Sequence, residues 1–455
     1  MMEVKDIFLV PIYLLIFYGL AVAIRPKVTN AFTKKYFMPA LTVKFVGAVG
    51  LGLVYQFYYG GGDTFNYTKH STIIYNAFGD SPAAGLKLLF ATVGEFDRTT
   101  VQYSSQMYWY QSGTEYFVVR IAAAAALLSF NSYGVIALFF AVISFSGVWA
   151  MYITFVWAYP LLYKRLAIAV FFLPSVFFWG SGVMKDSLCL GALGWVFYGF
   201  YFATVVKRNV LFSSIVGLLG AYVLITVKVY ILLSFMPPAL LWIVLENNRR
   251  IKSAALRMLL KPFFLLLGVG AGYLGATNLT ASDERFAVDK IGERTKINQE
   301  YLYSLTKDQG SAYNIGTIDG SLGSIATVAP QAIIVALFRP FLFEARNPVM
   351  LLSALEATMF MYLTFMMFYR TGFLRSFRMI GGTPIVSFCF LFAIVFAIGV
   401  GTNSGNFGTL VRYKIPLMPF FLAALYIMEY QANSAKKLAR LASTEKRASM
   451  VARAA

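Results

Sequence analysis

The stretch ALTVKFVGAVGLGLVYQFYY at residues 40–59, followed directly by GGGDTFNY at residues 60–67, joins an apolar segment to a glycine-rich exit. A helix needs about 20 apolar residues to cross a bilayer. Glycine lets the backbone leave a helix and turn sharply without a side-chain clash. The pattern predicts a transmembrane helix that ends near Gly60 and presents Asp63 at the membrane surface. This Asp is either a functional carboxylate or a solvated residue after an ordinary helix end.

The composition extends this pattern to the whole chain. Its 455 residues are 59% hydrophobic and 13% charged, which excludes an ordinary soluble globular protein. We predict an all-α polytopic membrane protein with about 11 transmembrane helices, in a range of about 9 to 13. The predicted helices lie near residues 7–24, 40–59, 133–157, 166–180, 188–206, 210–227, 229–246, 262–279, 348–369, 382–400 and 416–430.

The loops between these segments predict the orientation of the chain, because basic residues collect on the cytoplasmic side. Alternate loops are basic, at residues 25–35, 164–165, 207–208, 249–261 and 370–378, and so is the tail. The acidic residues fall in the other loops. We therefore expect an extracytoplasmic N-terminus and a cytoplasmic C-terminus. The formal charge of +19 then reflects topology and contact with membrane lipids, and nucleic acid is not expected as a partner.

Two large extracytoplasmic regions are predicted, at residues 60–132 and 280–347. In the first, residues 116–130 are expected to form a helix in or near the membrane interface. In the second, residues 325–343 are expected to be re-entrant or to lie parallel to the interface. Residues 1–433 are predicted to form a single membrane domain, and residues 434–455 a basic cytoplasmic tail.

Charged residues beside apolar segments are candidates for function, since an ionisable group at bilayer depth costs roughly 2.5 to 3.5 kcal/mol on insertion scales. Lys185 and Asp186 join two apolar spans with almost no linker. They are either functional or a local ion pair that marks a turn. Lys228 lies between two apolar stretches, where snorkelling of its side chain would also explain its position.

Two further clusters follow later in the chain. Arg339, Glu344 and Arg346 interrupt an apolar surface, and an internal pair of Arg339 with Glu344 is the structural alternative. Arg412 and Tyr413 open the last predicted span, and an ordinary anchor at a helix start is the alternative there. Guanidinium offers a fork of donors to phosphate, and an ammonium offers a point charge. A lipid-linked phosphate is therefore the expected ligand.

We predict that Asp63 acts as the catalytic general base toward an acceptor hydroxyl. His70, the single histidine, either assists or is structural. No metal-binding or nucleotide-binding motif is present, so we expect no metal and no cofactor. The predicted donor-phosphate ligands are Lys185, Arg339, Arg346 and Arg412, and the candidate supporting residues are His70, Tyr67, Asp186, Lys228, Glu344 and Tyr413.

Three of these stretches resemble the GT-C superfamily of integral membrane glycosyltransferases, and within it the bacterial members that use polyprenyl-phosphate sugars. Gly61 to Tyr67 resembles the first acidic loop of these enzymes. Phe178 to Asp186 resembles their Trp-Gly-Ser-Gly-x-x-Lys-acid segment, and Arg412 to Pro419 resembles their Arg-Tyr-x-x-Pro-x-x-Pro segment. The resemblance implies inverting, usually metal-independent sugar transfer with Asp63 as the base. In this chain the acidic loop follows the second helix instead of the first.

The resemblance also implies a bacterial inner membrane, a polyprenyl-phosphate sugar as donor, and a glycan, lipid or protein as acceptor. Two other functions remain open from the sequence. An O-antigen-type polysaccharide polymerase or ligase would depend more on Arg339, Arg346 and Arg412 than on Asp63. A transporter or flippase of a lipid-linked or anionic solute would use the same cations to bind its cargo.

Overall fold

The computed structural model describes residues 2–248, 291–306, 312–316 and 318–435, and this part of the chain is helical. One isolated β-bridge joins Ala312 and Asn406. The helices are α1 (Val4–Val28), α2 (Lys34–Phe57), α3 (Asp63–Asp80), α4 (Pro82–Phe90), α5 (Val101–Ser104), α6 (Gly113–Leu127), α7 (Tyr133–Ala158), α8 (Tyr163–Phe171), α9 (Pro174–Trp179), α10 (Lys185–Phe200), α11 (Val210–Asn248), α12 (Ile291–Thr306), α13 (Leu322–Phe338), α14 (Pro348–Thr371), α15 (Phe373–Gly382), α16 (Pro384–Asn403), α17 (Phe407–Tyr413) and α18 (Met418–Ala435).

Seven of the described helices are long and apolar enough to cross a membrane, and the bent pair of α17 and α18 makes an eighth. The seven are α1, α2, α7, α10 with its extension to Val206, α11, α14 and α16. The chain is thus a multi-pass helical membrane protein, as predicted from the sequence. The described residues hold fewer spans than the predicted 11. The predicted span at 262–279 and residues 436–455 of the predicted tail lie outside the described residues.

The span predicted at 166–180 is not one continuous helix, because the chain is broken there. Helix α8 ends at Phe171, and α9 begins at Pro174. Proline lacks a backbone N–H and disfavours a helical conformation in the residue before it, so it is well suited to the start of a helix and favours a break before it. The two short pieces bring Gly180 into the bundle, where its carbonyl accepts a hydrogen bond from Lys44 of α2 at 2.6 Å.

Helix α11 reverses its direction at Lys228, whose backbone is not helical (φ −149°, ψ 73°). Before this break, Gly220 packs against the carbonyl of Ala192 in the first half of α10. Beyond it, the ring of Trp242 lies 5.6 Å from the ring of Tyr201, past the other end of α10. Both halves of α11 therefore run along α10, and Lys228 lies at the turn between them.

Close packing against α7 fixes the position of α10. A Cβ at Gly147 would lie 1.8 Å from the carbonyl oxygen of Gly191, and one at Gly194 would lie 1.9 Å from the carbonyl oxygen of Gly147. Glycine at these positions lets the two backbones approach closely, which is a common way for helices to associate in membranes. This close packing fixes the position of α10 along α7. It thereby also fixes the position of Lys185 and Asp186, which lie in the first turn of α10.

Short helices cover the end of the bundle that carries Asp63. Helix α6 corresponds to the interfacial helix predicted at 116–130; it is not among the candidate spans and packs on α3. Helix α13 overlaps most of the apolar stretch predicted at 325–343 and is shorter than a span. It packs along α16, where Ala332 lies against Gly401.

Candidate functional site

Asp63 is the first residue of α3, and three glycines with positive φ angles bring the chain to it. Gly62 has a φ of +131°, and a Cβ there would lie 2.6 Å from the ring of Tyr55. Only glycine fits such a position without strain. The turn therefore places the Asp63 carboxylate at the N-terminus of α3, where the helix dipole favours negative charge. Its side chain remains 46% exposed.

Four charged side chains form one continuous chain of contacts with Asp63 at its exposed end. The Nη1 of Arg412 donates to the Oδ2 of Asp63 at 2.9 Å. The Nε of Arg412 donates to the Oδ2 of Asp186, and the Nζ of Lys228 donates to the Oδ1 of Asp186 at 2.5 Å. The side chain of Asp186 is only 3% exposed. A buried carboxylate thus holds two cations, and one of them reaches the exposed carboxylate.

Each of these side chains lies at a helix end or a helix break. Asp186 lies in the first turn of α10, where its charge complements the helix dipole. Lys228 lies at the reversal of α11, and its Nζ is 4.6 Å from the ring centroid of Tyr413. Arg412 lies in the last turn of α17, which meets α18 at 64°. The fold therefore assembles this cluster from segments that are distant in sequence.

Lys185 belongs to an adjacent ion pair. Its Nζ contacts the carboxylate of Glu115 on α6 and the hydroxyl of Thr114. Burial alone would raise the pKa of Glu115, but the Lys185 ammonium and hydrogen bonds from Ser112 and Thr114 lower it to about 2. No spacing in the sequence pointed to Glu115, because it is one of several acidic residues in the region 60–132. The pair closes the side of the site between α6 and α10.

The ion pair of Lys185 with Glu115 stabilises the folded protein, and this stabilisation is lost at acidic pH. The folded-state pKa of Glu115 is about 2, below its ordinary value of 4.5, so the stabilisation is present above pH 4.5 and is lost as the pH falls toward 2. We expect Glu115→Gln to lower the unfolding temperature by a constant amount from pH 8 to about pH 5. The difference from wild type should shrink in more acidic buffer. Thermal unfolding in detergent over this pH range measures it, and a pH-independent difference would contradict it.

The structure does not bring Arg339 to Asp63 or Asp186. The Arg339 guanidinium pairs through two nitrogens with Glu344 and lies 5.1 Å from the ring centroid of Phe407. This is the internal pair that the sequence left as the alternative. Arg346 is exposed. The Arg339 carbonyl accepts a hydrogen bond from Lys414 at 3.1 Å, so this segment supports the chain next to Arg412.

Tyr67 and His70 extend from Asp63 along one face of α3. Burial raises the pKa of Tyr67, and the nearby charges of Asp63 and Glu115 raise it further. His70 is buried, and its ring packs against Tyr108 at 4.3 Å. Burial and then the charge of Lys69 lower the pKa of His70 to about 4. Its imidazole is therefore neutral at neutral pH.

An apolar groove of about 250 Å³ lies along α10, between this helix and α6, α7 and α11. Leu188, one turn after Lys185, and Ile121 of α6 line one part of it. Trp195 and Ser146 line another part, and Leu219 on its rim is 60% exposed. The groove thus runs along α10 from a point one turn after Lys185, and part of its lining is exposed at the surface of the bundle.

Buried polar contacts that the sequence did not predict lie below the site. Lys44 donates to Ser144 and Gly180, as a structural contact between α2, α7 and the end of α9. Glu356 of α14 accepts hydrogen bonds from the backbone N–H and the hydroxyl of Ser175. Both side chains fix the broken segment that leads into Lys185.

Within the described ranges, no three His, Cys, Asp or Glu side chains lie close enough together to hold a metal ion. The described residues offer an exposed carboxylate in contact with a guanidinium, and an apolar groove along α10. We compared the chain with family models, with curated proteins and with solved structures, and no match was found. The geometry of the site is therefore the basis for assigning a function.

Proposed function

We propose that this protein is a membrane glycosyltransferase that moves a sugar from a polyprenyl-phosphate donor to an acceptor on the extracytoplasmic face of the membrane. The observation that carries the proposal is the contact of Arg412 with the exposed carboxylate of Asp63. An apolar groove along α10, whose lining begins one turn after Lys185, supports it. Sugar transfer needs a base for the acceptor hydroxyl, a cation for the departing phosphate and a place for the lipid tail. The site has a candidate for each.

Asp63 is the candidate base because it is the more exposed of the two carboxylates that Arg412 contacts. Asp186 is unsuited to this role, since it is buried and contacts two cations. Its role is to hold Arg412 and Lys228 in place. In the described contacts, hydrogen bonds reach Asp63 only at Oδ2, so its Oδ1 is the atom that an acceptor hydroxyl would approach.

The donor phosphate would bind to Arg412. With Asp63, Asp186, Arg412 and Lys228 paired together, the cluster is balanced in charge, so an arriving phosphate must compete with a carboxylate. The ion pair of Arg412 with Asp63 is weaker than its ion pair with Asp186, because solvent screens the exposed pair more than the buried one. We therefore propose that Arg412 keeps Asp186 and turns its Nη1 toward the phosphate, which frees Asp63.

The chemical step follows from this arrangement. The acceptor oxygen forms a bond to the anomeric carbon, and the bond from that carbon to the phosphate oxygen breaks. The phosphate leaves with the electron pair, and Arg412 stabilises its charge. The acceptor proton passes to Asp63. Attack on the face opposite the phosphate inverts the anomeric centre.

The groove along α10 fits the polyprenyl tail. Its apolar lining and its exposure at the surface of the bundle suit one long hydrocarbon chain, and its lining begins one turn after Lys185. The same proposal places the protein in the bacterial inner membrane with the N-terminus outside and the C-terminus inside. The alternation of basic and acidic loops supports this orientation.

The test is to compare surface glycans and lipid-linked sugars in wild-type cells, a deletion strain and the complemented strain. For a transferase, we expect the deletion to remove one sugar from a surface glycan and to cause the sugar donor to accumulate. The accumulated donor should be open to periodate added outside the inner membrane. Unchanged glycans and donor levels in the deletion strain would contradict the proposal.

The same experiment separates the two other candidates. Breaks at Lys228 and between α17 and α18 are features of transporters, and loss of a flippase would leave the donor protected on the cytoplasmic leaflet. Loss of a polysaccharide polymerase or ligase would cause complete lipid-linked repeat units to accumulate. The pairing of Arg339 with Glu344 disfavours this last candidate, which would depend on a free arginine there.

We expect Arg412→Lys to lower kcat/KM for the donor by about 10-fold to 100-fold. Lysine keeps the charge but cannot contact Asp186 and a phosphate through one planar fork. The measurement is sugar transfer from a labelled donor in membrane vesicles. Arg165→Lys is the matched control, since Arg165 forms a half-exposed pair with Glu429 at 2.7 Å outside the site. Wild-type kinetics in Arg412→Lys would exclude phosphate binding by the fork.

A further inference from the structure

Three consecutive aromatic residues lie across the face of α3 that carries Asp63. They form a short 3-10 helix, Tyr108–Gln111. Tyr110 anchors this helix: it is buried, and its hydroxyl donates to the carbonyl of Glu95 at 2.5 Å. Tyr108, two residues earlier, is 60% exposed. The segment thus exposes the ring of Tyr108, while the buried Tyr110 fixes its position.

That exposed ring packs on the face of α3 that begins with Asp63. Residues 63, 67 and 70 share one face of α3 because side chains at i, i+4 and i+7 align on a helix. The ring centroid of Tyr67 lies 4.4 Å from that of Trp109, and the ring of His70 lies 4.3 Å from Tyr108. Burial and then the charge of Asp63 raise the pKa of Tyr108.

The surroundings of Tyr108 are polar. Ser105, Gln106 and Gln111 in the same segment are exposed. A ring that anchors a protein in the membrane interface has lipid-facing apolar neighbours. Tyr108 is therefore placed to face water at the entrance to the site, on the side of α3 that also carries Asp63.

We propose that Tyr108 is the stacking surface for a sugar ring of the acceptor, with the acceptor hydroxyl directed to Asp63. A sugar ring has one face of C–H groups and an edge of hydroxyls. An aromatic face fits the first, and a carboxylate oxygen accepts from the second. The acceptor would thus be a saccharide or a glycan end. This inference rests on the proposed function, because it assigns the second substrate of that reaction.

The test is saturation-transfer NMR on the full chain in lipid nanodiscs, with the methyl glycosides of glucose, galactose, mannose and N-acetylglucosamine as probes. We expect transfer to the ring protons of at least one glycoside in wild type and in Tyr108→Phe. In Tyr108→Ala and Tyr108→Leu, binding should weaken between about twofold and about tenfold, the range for one aromatic contact. Phe90→Ala is the matched control, since Phe90 is 78% exposed and ends α4, away from Asp63.

Several outcomes would overturn the inference. One is that no glycoside binds to wild type. Another is that Tyr108→Leu binds as wild type does, because the ring would then act only as apolar surface. A third is that Phe90→Ala weakens binding as much as Tyr108→Ala. A transfer assay separates this inference from the proposed function: if a glycoside still needs Tyr108 to bind while the wild-type chain transfers no sugar from a labelled donor, the stacking surface stands and the proposed transferase fails.

Discussion

Asp63→Asn should reduce sugar transfer by a factor of about 10² to 10⁴, the usual contribution of a general base. Asparagine has nearly the same shape and can still accept a hydrogen bond from Arg412, but it cannot take the proton of the acceptor hydroxyl. Cells that express this variant at the wild-type level should therefore show the glycan defect of the deletion strain. Quantification of the glycan and of the accumulated donor measures the effect.

The controls for this variant separate chemistry from folding. Because Asp63 is 46% exposed, its replacement should leave the unfolding temperature within a few degrees of wild type. Asp97→Asn is the matched substitution: Asp97 is an exposed carboxylate in the same region of the chain and bonds to Thr99 and Lys87. Normal transfer in Asp63→Asn, or an equal loss in Asp97→Asn, would remove Asp63 as the base.

The sequence predicted the charged residues of the site better than it predicted their partners. An ionisable group beside an apolar segment is energetically costly unless it has a partner or a function. This cost identified Asp63, Asp186, Lys228 and Arg412 as candidates. Their contacts join residues up to 349 positions apart, and no spacing rule covers such a distance. Arg339 stood out for the same reason, yet its nearest carboxylate, Glu344, is a neighbour in sequence.

The fold was predictable at the level of class and less so at the level of spans. Hydropathy identified a multi-pass helical membrane protein, but it does not show where an apolar run is interrupted. Pro174 breaks one predicted span, and Lys228 marks a reversal within one continuous apolar run. Glu115 was hidden for another reason, since it is one of several acidic residues in the region 60–132.

The site depends on these interruptions. An unbroken helix satisfies its own backbone groups and presents side chains only to its neighbours, whereas a break can direct a charged side chain inward. Lys228 and Arg412 both lie at such breaks, and Asp186 begins a helix. Asp186 alone contacts both cations. The buried carboxylate should therefore matter more for stability than the exposed one.

We expect Asp186→Ala to lower the free energy of unfolding by roughly 3 to 5 kcal/mol, the effect of removing one partner from a buried ion pair. Its side chain is 3% exposed, and those of Lys228 and Arg412 are 10% and 15% exposed. Without Asp186, Lys228 loses its carboxylate, and Arg412 keeps only Asp63. Unfolding in mixed micelles of mild detergent and SDS measures the change. Asp97→Ala should change the same quantity by less than about 0.5 kcal/mol.

A second substitution tests whether unpaired charge is the cause. Adding Lys228→Met to Asp186→Ala removes one of the two stranded cations and keeps a side chain of similar length, so the double variant should be more stable than Asp186→Ala alone. If Asp186→Ala does not fold, Asp186→Asn provides the same comparison, since it keeps the shape and loses the charge. If the effects of Asp186→Ala and Lys228→Met on the free energy of unfolding are additive, this would contradict the contact between Asp186 and Lys228. A positive coupling would show that the buried carboxylate holds the cations that the proposed donor phosphate requires.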